Sequence, residues 1–270
     1  MISLPGLNPI SAEKPGNGDL HKDLFIWLMN LPLPRKGNTW YDLCGRYDGA
    51  LTSMSPGEDW TPHPAGKKSG WGALRTDGTD QYVDLGTVKH DIGTGQFTWA
   101  IWYYALSTTG ESSGHNGLIA HGSAKPSFYW RRGGGENLAA WWGGFRDFGC
   151  SVSLGEWHHL VLRRKGGFLN GFIDGVKCPT SHGSAENMTN EQLLIGRSTT
   201  GVGPSNSDGY WDDFRFWRRA LQDSEVIQAY HDSMRGYQST LRRANLLWLN
   251  EVAAGGSSTP YYYNWRRRVA

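Results

Sequence analysis

The chain is cut into short runs of apolar and aromatic residues by glycines that recur roughly every 8 to 12 residues, and this constrains its fold more than any other feature. "GQFTWAIWYYAL" (95–106), "NGLIAHG" (116–122), "SFYWRRGG" (127–134), "ENLAAWWGGF" (136–145) and "FGCSVSLG" (148–155) follow one another in this way. So do the halves of "GEWHHLVLRRKGGFLNGFIDGVKC" (155–178). Each run suits a strand bounded by glycine. The earlier "DLFIWLMNL" and "WYDLCGRYDGALT" and the later "EQLLIGRS" and "YWDDFRFWRRAL" extend the series. Composition agrees: 37 Gly, 14 Trp and 12 Tyr stand against 9 Glu in 270 residues. That balance favours turns and aromatic strands over helices. The expected fold is all-β, an antiparallel sandwich of two sheets.

The period of two sorts residues onto faces. In "GQFTWAIWYYAL" both Phe97, Trp99, Ile101, Tyr103 and the alternate set Thr98, Ala100, Trp102, Tyr104 are largely apolar, so this strand belongs in the middle of a sheet covered on both sides. "ALRTDGTDQYVDLG" reads as two strands about a turn at Asp77–Gly78, with Tyr82, Asp84 and Gly86 on one face and Val83 and Leu85 on the other. Residues 53–72, with prolines at 56, 62 and 64, are a long loop and too Pro-rich for a central strand. One stretch has a helical period, "QDSEVIQAYHDSM" (222–234), with Val226, Ile227, Tyr230 and Met234 on one side. Gln222 or Asp223 would cap it, and Glu225 stands where a capping box places its acid. The adjacent His158 and His159 fall on opposite faces of a strand and cannot chelate one ion together.

Three parts are expected: an extended N-terminal arm over 1–21, the sandwich over 22–234, and a basic aromatic tail over 235–270. The tail holds six of the 27 basic residues and one of the 25 acidic ones, leaving a mildly acidic body of 21 against 24. Arg242, Arg243, Arg266, Arg267 and Arg268 make the tail a candidate for docking onto an acidic neighbour. Cys44, Cys150 and Cys178 permit one intrachain bridge at most and define no metal-ligand spacing. The first residues lack the basic and apolar regions of a secretory signal, so an extracellular role would need another export route or a mature chain. No apolar window approaches the ~18 residues of a membrane span.

Several motifs in order carry a resemblance. "WYDLCGRYDGALT", "RTDGTDQYVDLGTVKHDIGTGQFTWAIWYY", "GEWHHLVLRRKGGFLNGFIDGV" and "DGYWDDFRFWRRALQDSEVIQAYHD" resemble the LamG-like jelly roll of the concanavalin A-like lectin/glucanase superfamily over residues 24–232. Cys44 stands where that family usually has Ser, and Gln222 where Ser or Thr precedes the last helix. The resemblance implies a two-sheet jelly roll with one short C-terminal helix, in which "WHHLV" is a strand leading into a hairpin. It leaves function open, because the fold hosts lectins, hydrolases, adhesion modules and virion proteins.

Three chemistries follow. Glycan binding would use aromatic platforms on a sheet, and Tyr129, Trp130, Arg131, Trp141 and Trp142 are the candidates, with Trp141 and Trp142 facing opposite ways. A structural calcium ion is implied by the resemblance, with Asp212 at the family's carboxylate position and Asp42 and Asp77 on turns as further ligands. Glycoside hydrolysis needs two carboxylates on one strand face, and no two of the nine glutamates stand so. There is no phosphate loop, no serine or cysteine in a recognisable nucleophile elbow, and no interleaving of basic and stacking residues that would read nucleic acid. The expected function is therefore non-enzymatic: a structural or adhesion protein of the phage virion surface, bound to protein neighbours and to surface glycans. The alternatives are a secreted or surface carbohydrate-binding module and, third, a glycoside hydrolase of the same fold.

Overall fold

In the computed structural model the described residues are 19–30, 37–55, 60–61, 72–107, 115–122, 127–131, 137–198 and 205–233. Their strands are β1 (Leu24–Leu28), β2 (Thr39–Trp40), β3 (Gly49–Thr52), β4 (Trp60–Thr61), β5 (Ala73–Asp77) and β6 (Tyr82–Val88). Then come β7 (Phe97–Ala105), β8 (His115–His121), β9 (Ser127–Arg131), β10 (Asn137–Trp141), β11 (Phe145–Ser151) and β12 (Trp157–Lys165). The last six are β13 (Phe168–Ile173), β14 (Val176–Gly183), β15 (Glu191–Ile195), β16 (Arg197–Ser198), β17 (Ser205–Asn206) and β18 (Asp208–Trp217). A single helix among the described residues, α1, covers 223–233.

Two eight-stranded antiparallel sheets result, with β16 and β17 paired as a separate two-stranded ribbon. Sheet A runs β14-β13-β12-β7-β18-β5-β4, with β1 also on β18, and sheet B runs β11-β10-β9-β8-β15-β6-β3-β2. The all-β sandwich read from the sequence is therefore the fold. β7 is central in sheet A, between β12 and β18. Phe97, Trp99, Ile101 and Tyr103 are fully buried between the sheets, against Phe128, Trp130, Leu138 and Ala140 of sheet B and Leu160 and Leu162 of sheet A. Each such side chain contributes about 1.5–3 kcal/mol through burial.

The outer face of sheet A is covered too, which explains why β7 and β12 are apolar on both sides. Ala100, Val161, Phe172 and Trp217 pack against Leu221, Val226 and Ala229 at α1, together with Leu20. Trp102 donates Nε1–H to Ser233 Oγ at 2.7 Å and stacks on Tyr230 at 5.6 Å. The helix starts with the expected box, for Gln222 N–H donates to Glu225 Oε2 at 2.6 Å, and Arg219 holds the same carboxylate. Among the described residues no helix is long and apolar enough to cross a membrane.

Asp77 and Gly78 do form a turn, at φ +76° for Gly78, but the strands they join do not pair. β5 lies in sheet A and β6 in sheet B. The turn carries the chain from one sheet to the other, and local turn chemistry is the same in both cases. Among the described residues of the Pro-rich segment, Trp60–Thr61 form β4 at the edge of sheet A, the place in a sheet that tolerates proline. Of the arm, Leu20 is buried and its carbonyl accepts from Trp217 Nε1 at 2.6 Å; positions 1–18 lie outside the described residues.

The cysteine question is answered by topology. β11 and β14 are the edge strands of the two sheets, and Cys150 and Cys178 bridge them with Cα atoms 5.5 Å apart. Cys44 is free. Its thiol is pushed up to about 12, first by burial and then by the Asp42 carboxylate, so it is a poor nucleophile.

Arg164 and the His90–His121 pair are closed inside the body. Arg164 is 1% exposed and donates to the carbonyls of Gly95 (2.6 Å), Gly93 (2.6 Å) and Glu186 (2.7 Å), while its guanidinium lies over Phe97 and Trp142. Burial lowers its pKa to about 10, which leaves it charged. His90 and His121 meet through their Nε2 atoms at 2.9 Å. Ile92 N–H donates to His90 Nδ1, so the His90 proton sits on Nε2 and is given to His121. Burial, and then the neighbouring His121, lower the His90 pKa to about 4.

Candidate functional site

The register of sheet B divides the five aromatic and basic candidates. Trp130 pairs with Leu138 and points with it into the core, where it is fully buried. Trp142, 1% exposed, stacks on Phe97 at 5.7 Å and is also core. Neither is a ligand platform, because the pleat that puts their neighbours outside puts them inside. Tyr129 and Trp141 belong to the outer face, and the side chain of Arg131 lies outside the described residues. Tyr129 is only 1% exposed, its ring 6.1 Å from Phe145, and it supports the surface without offering a face to solvent. Trp141, at 36%, is exposed.

Around Trp141 the edge strand β11 and its neighbour β10 build a small polar and aromatic patch. Trp141 pairs with Phe145, and the next row sets Ala139 opposite Asp147. Asn137 Nδ2–H donates to Asp147 Oδ2 at 3.0 Å, Ser151 Oγ–H donates to Asn137 Oδ1 at 3.1 Å, and Gly149 N–H donates to Asp147 Oδ1 at 2.7 Å. The turn that joins the strands requires Gly143, which has φ +64° and lies so close to the Glu186 side chain that a Cβ would collide with it. The Cys150–Cys178 bridge and a hydrogen bond between His182 Nε2 and the Asp147 carbonyl (2.6 Å) tie this edge to sheet A. The patch is thus an aromatic ring beside a preformed amide–carboxylate–hydroxyl network, the chemistry that stacks on and hydrogen-bonds to a polyhydroxylated ligand. Phe145, Asn137, Asp147 and Ser151 were not singled out from the sequence. Their signal is the alternation of β10 and β11, which becomes readable only once the bulge between 137 and 139 is known.

The three aspartates do not form one site. Asp42 is fully buried, and its carboxylate accepts four backbone N–H groups, from Trp27, Cys44, Arg46 and Tyr47, at 2.8–3.0 Å. A carboxylate so saturated by donors does not fit a cation; it organises the 42–47 turn. Asp77 is on the surface and accepts from Thr79 N–H within its own turn. Asp212 differs. It is fully buried and accepts Asn30 N–H at 3.0 Å; the Asn30 side chain donates Nδ2–H to the Trp211 carbonyl at 2.9 Å, and its Oδ1 is buried without a partner among the described residues. A hard cation here would take Asp212 and Asn30 Oδ1 as ligands, and Asp42 and Asp77 would not join them. No cluster of three or more His, Cys, Asp or Glu ligands occurs among the described residues, so backbone carbonyls would have to complete such a shell.

The twin histidines part as the strand period requires. His159 pairs with Trp102 on the outer face and lies against Trp102 and Tyr230. His158 pairs with Tyr103 and engages Ser153 and Asp174 at the rim. The tail arginines 242, 243, 266, 267 and 268 lie outside the described residues.

The profile of Laminin_G_3, described as the concanavalin A-like lectin/glucanases superfamily, matches residues 77–227. No match is found among curated protein sequences. Among solved structures, domain 4 of AbnA, an extracellular arabinanase from Geobacillus stearothermophilus in complex with arabinotriose, is similar at TM-score 0.56 and 14% identity over 77% of this chain and 99% of that one. Trypanosoma rangeli sialidase in complex with sialic acid is similar at TM-score 0.58 and 13% identity, over 78% of this chain and 33% of that one. The chain thus spans about a third of the sialidase's length. At these identities the likeness is one of fold.

Proposed function

The chain belongs to the Laminin_G_3 family of the concanavalin A-like lectin/glucanase superfamily, and from that premise we propose that it is a carbohydrate-binding protein that holds glycans, without cleaving them, on the β10–β11 edge of sheet B. The observation that carries this reading is the exposed Trp141 beside the fixed Asn137–Asp147–Ser151 network. The arabinotriose complex of AbnA domain 4 supports it, because that domain is matched over almost its whole length. The basic, aromatic C-terminal stretch adds a second element: an assembly contact that displays the sandwich on a particle such as a virion, with its protein neighbours as partners. Glycan cleavage is the weaker reading, since the Asp147 carboxylate is already held by Asn137 and Gly149. Calcium, if bound, takes Asp212 and Asn30 and steadies the end of β1 against β18.

Titration calorimetry with arabino-oligosaccharides and sialylated glycans tests the site. Trp141→Ala should weaken binding by about tenfold or more at unchanged melting temperature. Equal affinity in wild type and Trp141→Ala would move the site away from this edge. Deleting residues 236–270 should abolish co-purification with particles and leave glycan affinity intact.

A further inference from the structure

We propose that Ser153, His158 and Asp174 form a nucleophilic triad that removes small acyl groups, such as acetyl, from ester-bearing molecules, a chemistry separate from glycan binding at the β10–β11 edge. Ser153 Oγ is 2.6 Å from His158 Nε2, and His158 Nδ1 is 2.8 Å from Asp174 Oδ2. The carboxylate can only accept, so Nδ1 carries the proton and Nε2 presents its lone pair to the serine hydroxyl. That tautomer activates a serine.

The three groups are brought together by the strand order. β12 starts with His158 as its second residue, and the β13–β14 hairpin lies alongside, with Leu160 opposite Ile173, so the Asp174–Gly175 turn falls next to His158. Asp174 is fixed twice more: its Oδ1 accepts His159 N–H at 2.8 Å, and its own N–H donates to the His159 carbonyl at 2.9 Å. Its φ of +52° sets the turn. Ser153 stands on the segment joining β11 to β12, anchored by the Cys150 bridge and by Gly155 N–H donating to the Ala105 carbonyl. The nucleophile is exposed, the base is 9% exposed, and the orienting acid is fixed behind it. Glu156 Oε2, at 3.4 Å from Ser153 Oγ, is the more distant acceptor and does not divert the hydroxyl. A serine on an open rim beside the exposed Leu154 suits small acyl groups displayed on a larger molecule better than long chains needing a deep pocket.

In the reaction Ser153 Oγ attacks the ester carbonyl carbon as its proton passes to His158 Nε2. The carbonyl then re-forms, the C–O bond to the alcohol breaks, and the departing oxygen takes the proton from Nε2. Water, deprotonated by the same nitrogen, attacks the acyl-serine, releasing the acid and returning the proton to Oγ. Asp174 touches no substrate; it is the positioning residue that holds the tautomer and stabilises the transient imidazolium.

The full chain is assayed with p-nitrophenyl acetate and, separately, with a fluorophosphonate followed by peptide mass spectrometry. The expected results are one adduct on Ser153, p-nitrophenol release at least ~100-fold above Ser153→Ala, and falls of at least ~10-fold in His158→Asn and Asp174→Asn. Asn tolerates the positive φ at 174, so Asp174→Asn should keep its melting temperature. In the NMR spectrum it should lose the low-field Nδ1–H resonance that wild type and Ser153→Ala retain, which separates positioning from folding. No adduct on Ser153, or equal release by wild type and Ser153→Ala, would overturn the proposal without touching the glycan-binding reading, which Trp141→Ala tests.

Discussion

Acid should destabilise this protein through one proton that its core cannot accept. His90 is 1% exposed, and its Nδ1, the atom that would take the proton, already receives the Ile92 N–H. With the ordinary value of 6.5 in the unfolded chain and about 4 in the native protein, the unfolded state binds the proton first. The stability due to the neutral imidazole is therefore complete above 6.5 and is lost as pH falls toward 4. Each pH unit in that window removes about 1.4 kcal/mol, so the step from pH 7 to pH 5 costs about 2 kcal/mol for this group. Other groups titrate over the same range, so the measurement is a difference. Urea unfolding of wild type and His90→Gln is followed at pH 7, 6 and 5, and the stability-versus-pH slope of the variant should be smaller by close to one proton. Gln itself lowers stability at every pH, but the slope isolates the titration. Parallel slopes would show that His90 protonates in the native state as readily as in the unfolded one, and the buried tautomer chain would be refuted.

Arg164→Ala should cost about 3–5 kcal/mol in chemical denaturation, because it strands three buried carbonyls and empties the space over Phe97 and Trp142; a loss under 1 kcal/mol would mean that water replaces the guanidinium. Reducing Cys150–Cys178, or Cys178→Ser, should remove about 3–4 kcal/mol, from the loop entropy of a 28-residue separation, and Cys44→Ser should not. Millimolar calcium should raise the melting temperature of wild type and not of Asp212→Asn, if Asp212 and Asn30 form the cation shell; the same shift in both would place any bound calcium elsewhere.

Much of the fold was legible because its signals are local. Apolar alternation placed β7, β12 and β13, and glycine marked their ends. Gln222 and Glu225 announced the helix cap. The candidate site was legible only in part. Trp141 and Trp142 were known to face opposite ways, but a period of two has no sign: nothing local says which of the pair is inside. Trp130 lies in a Gly-bounded run of mixed polarity, yet it is one of the deepest core residues. The turn at Asp77–Gly78 has hairpin chemistry and joins strands of different sheets, since a turn fixes the reversal of the chain and not its hydrogen-bond partners.

By itself the sequence determined the class of fold, the family resemblance, the central strand and the separation of His158 from His159, all of which rest on periodicity and short-range turn chemistry. Only the tertiary structure decided the rest. It brought Cys150 to Cys178 at the open edge of the sandwich, seated Arg164 on carbonyls from residues 93, 95 and 186, saturated Asp42 with backbone donors while leaving Asn30 beside Asp212, and set Ser153 and Asp174 about His158. These are contacts between residues up to 182 positions apart. They depend on the order in which strands lie side by side, which is chosen by the burial of two whole sheets at once and is written in no single stretch of the chain.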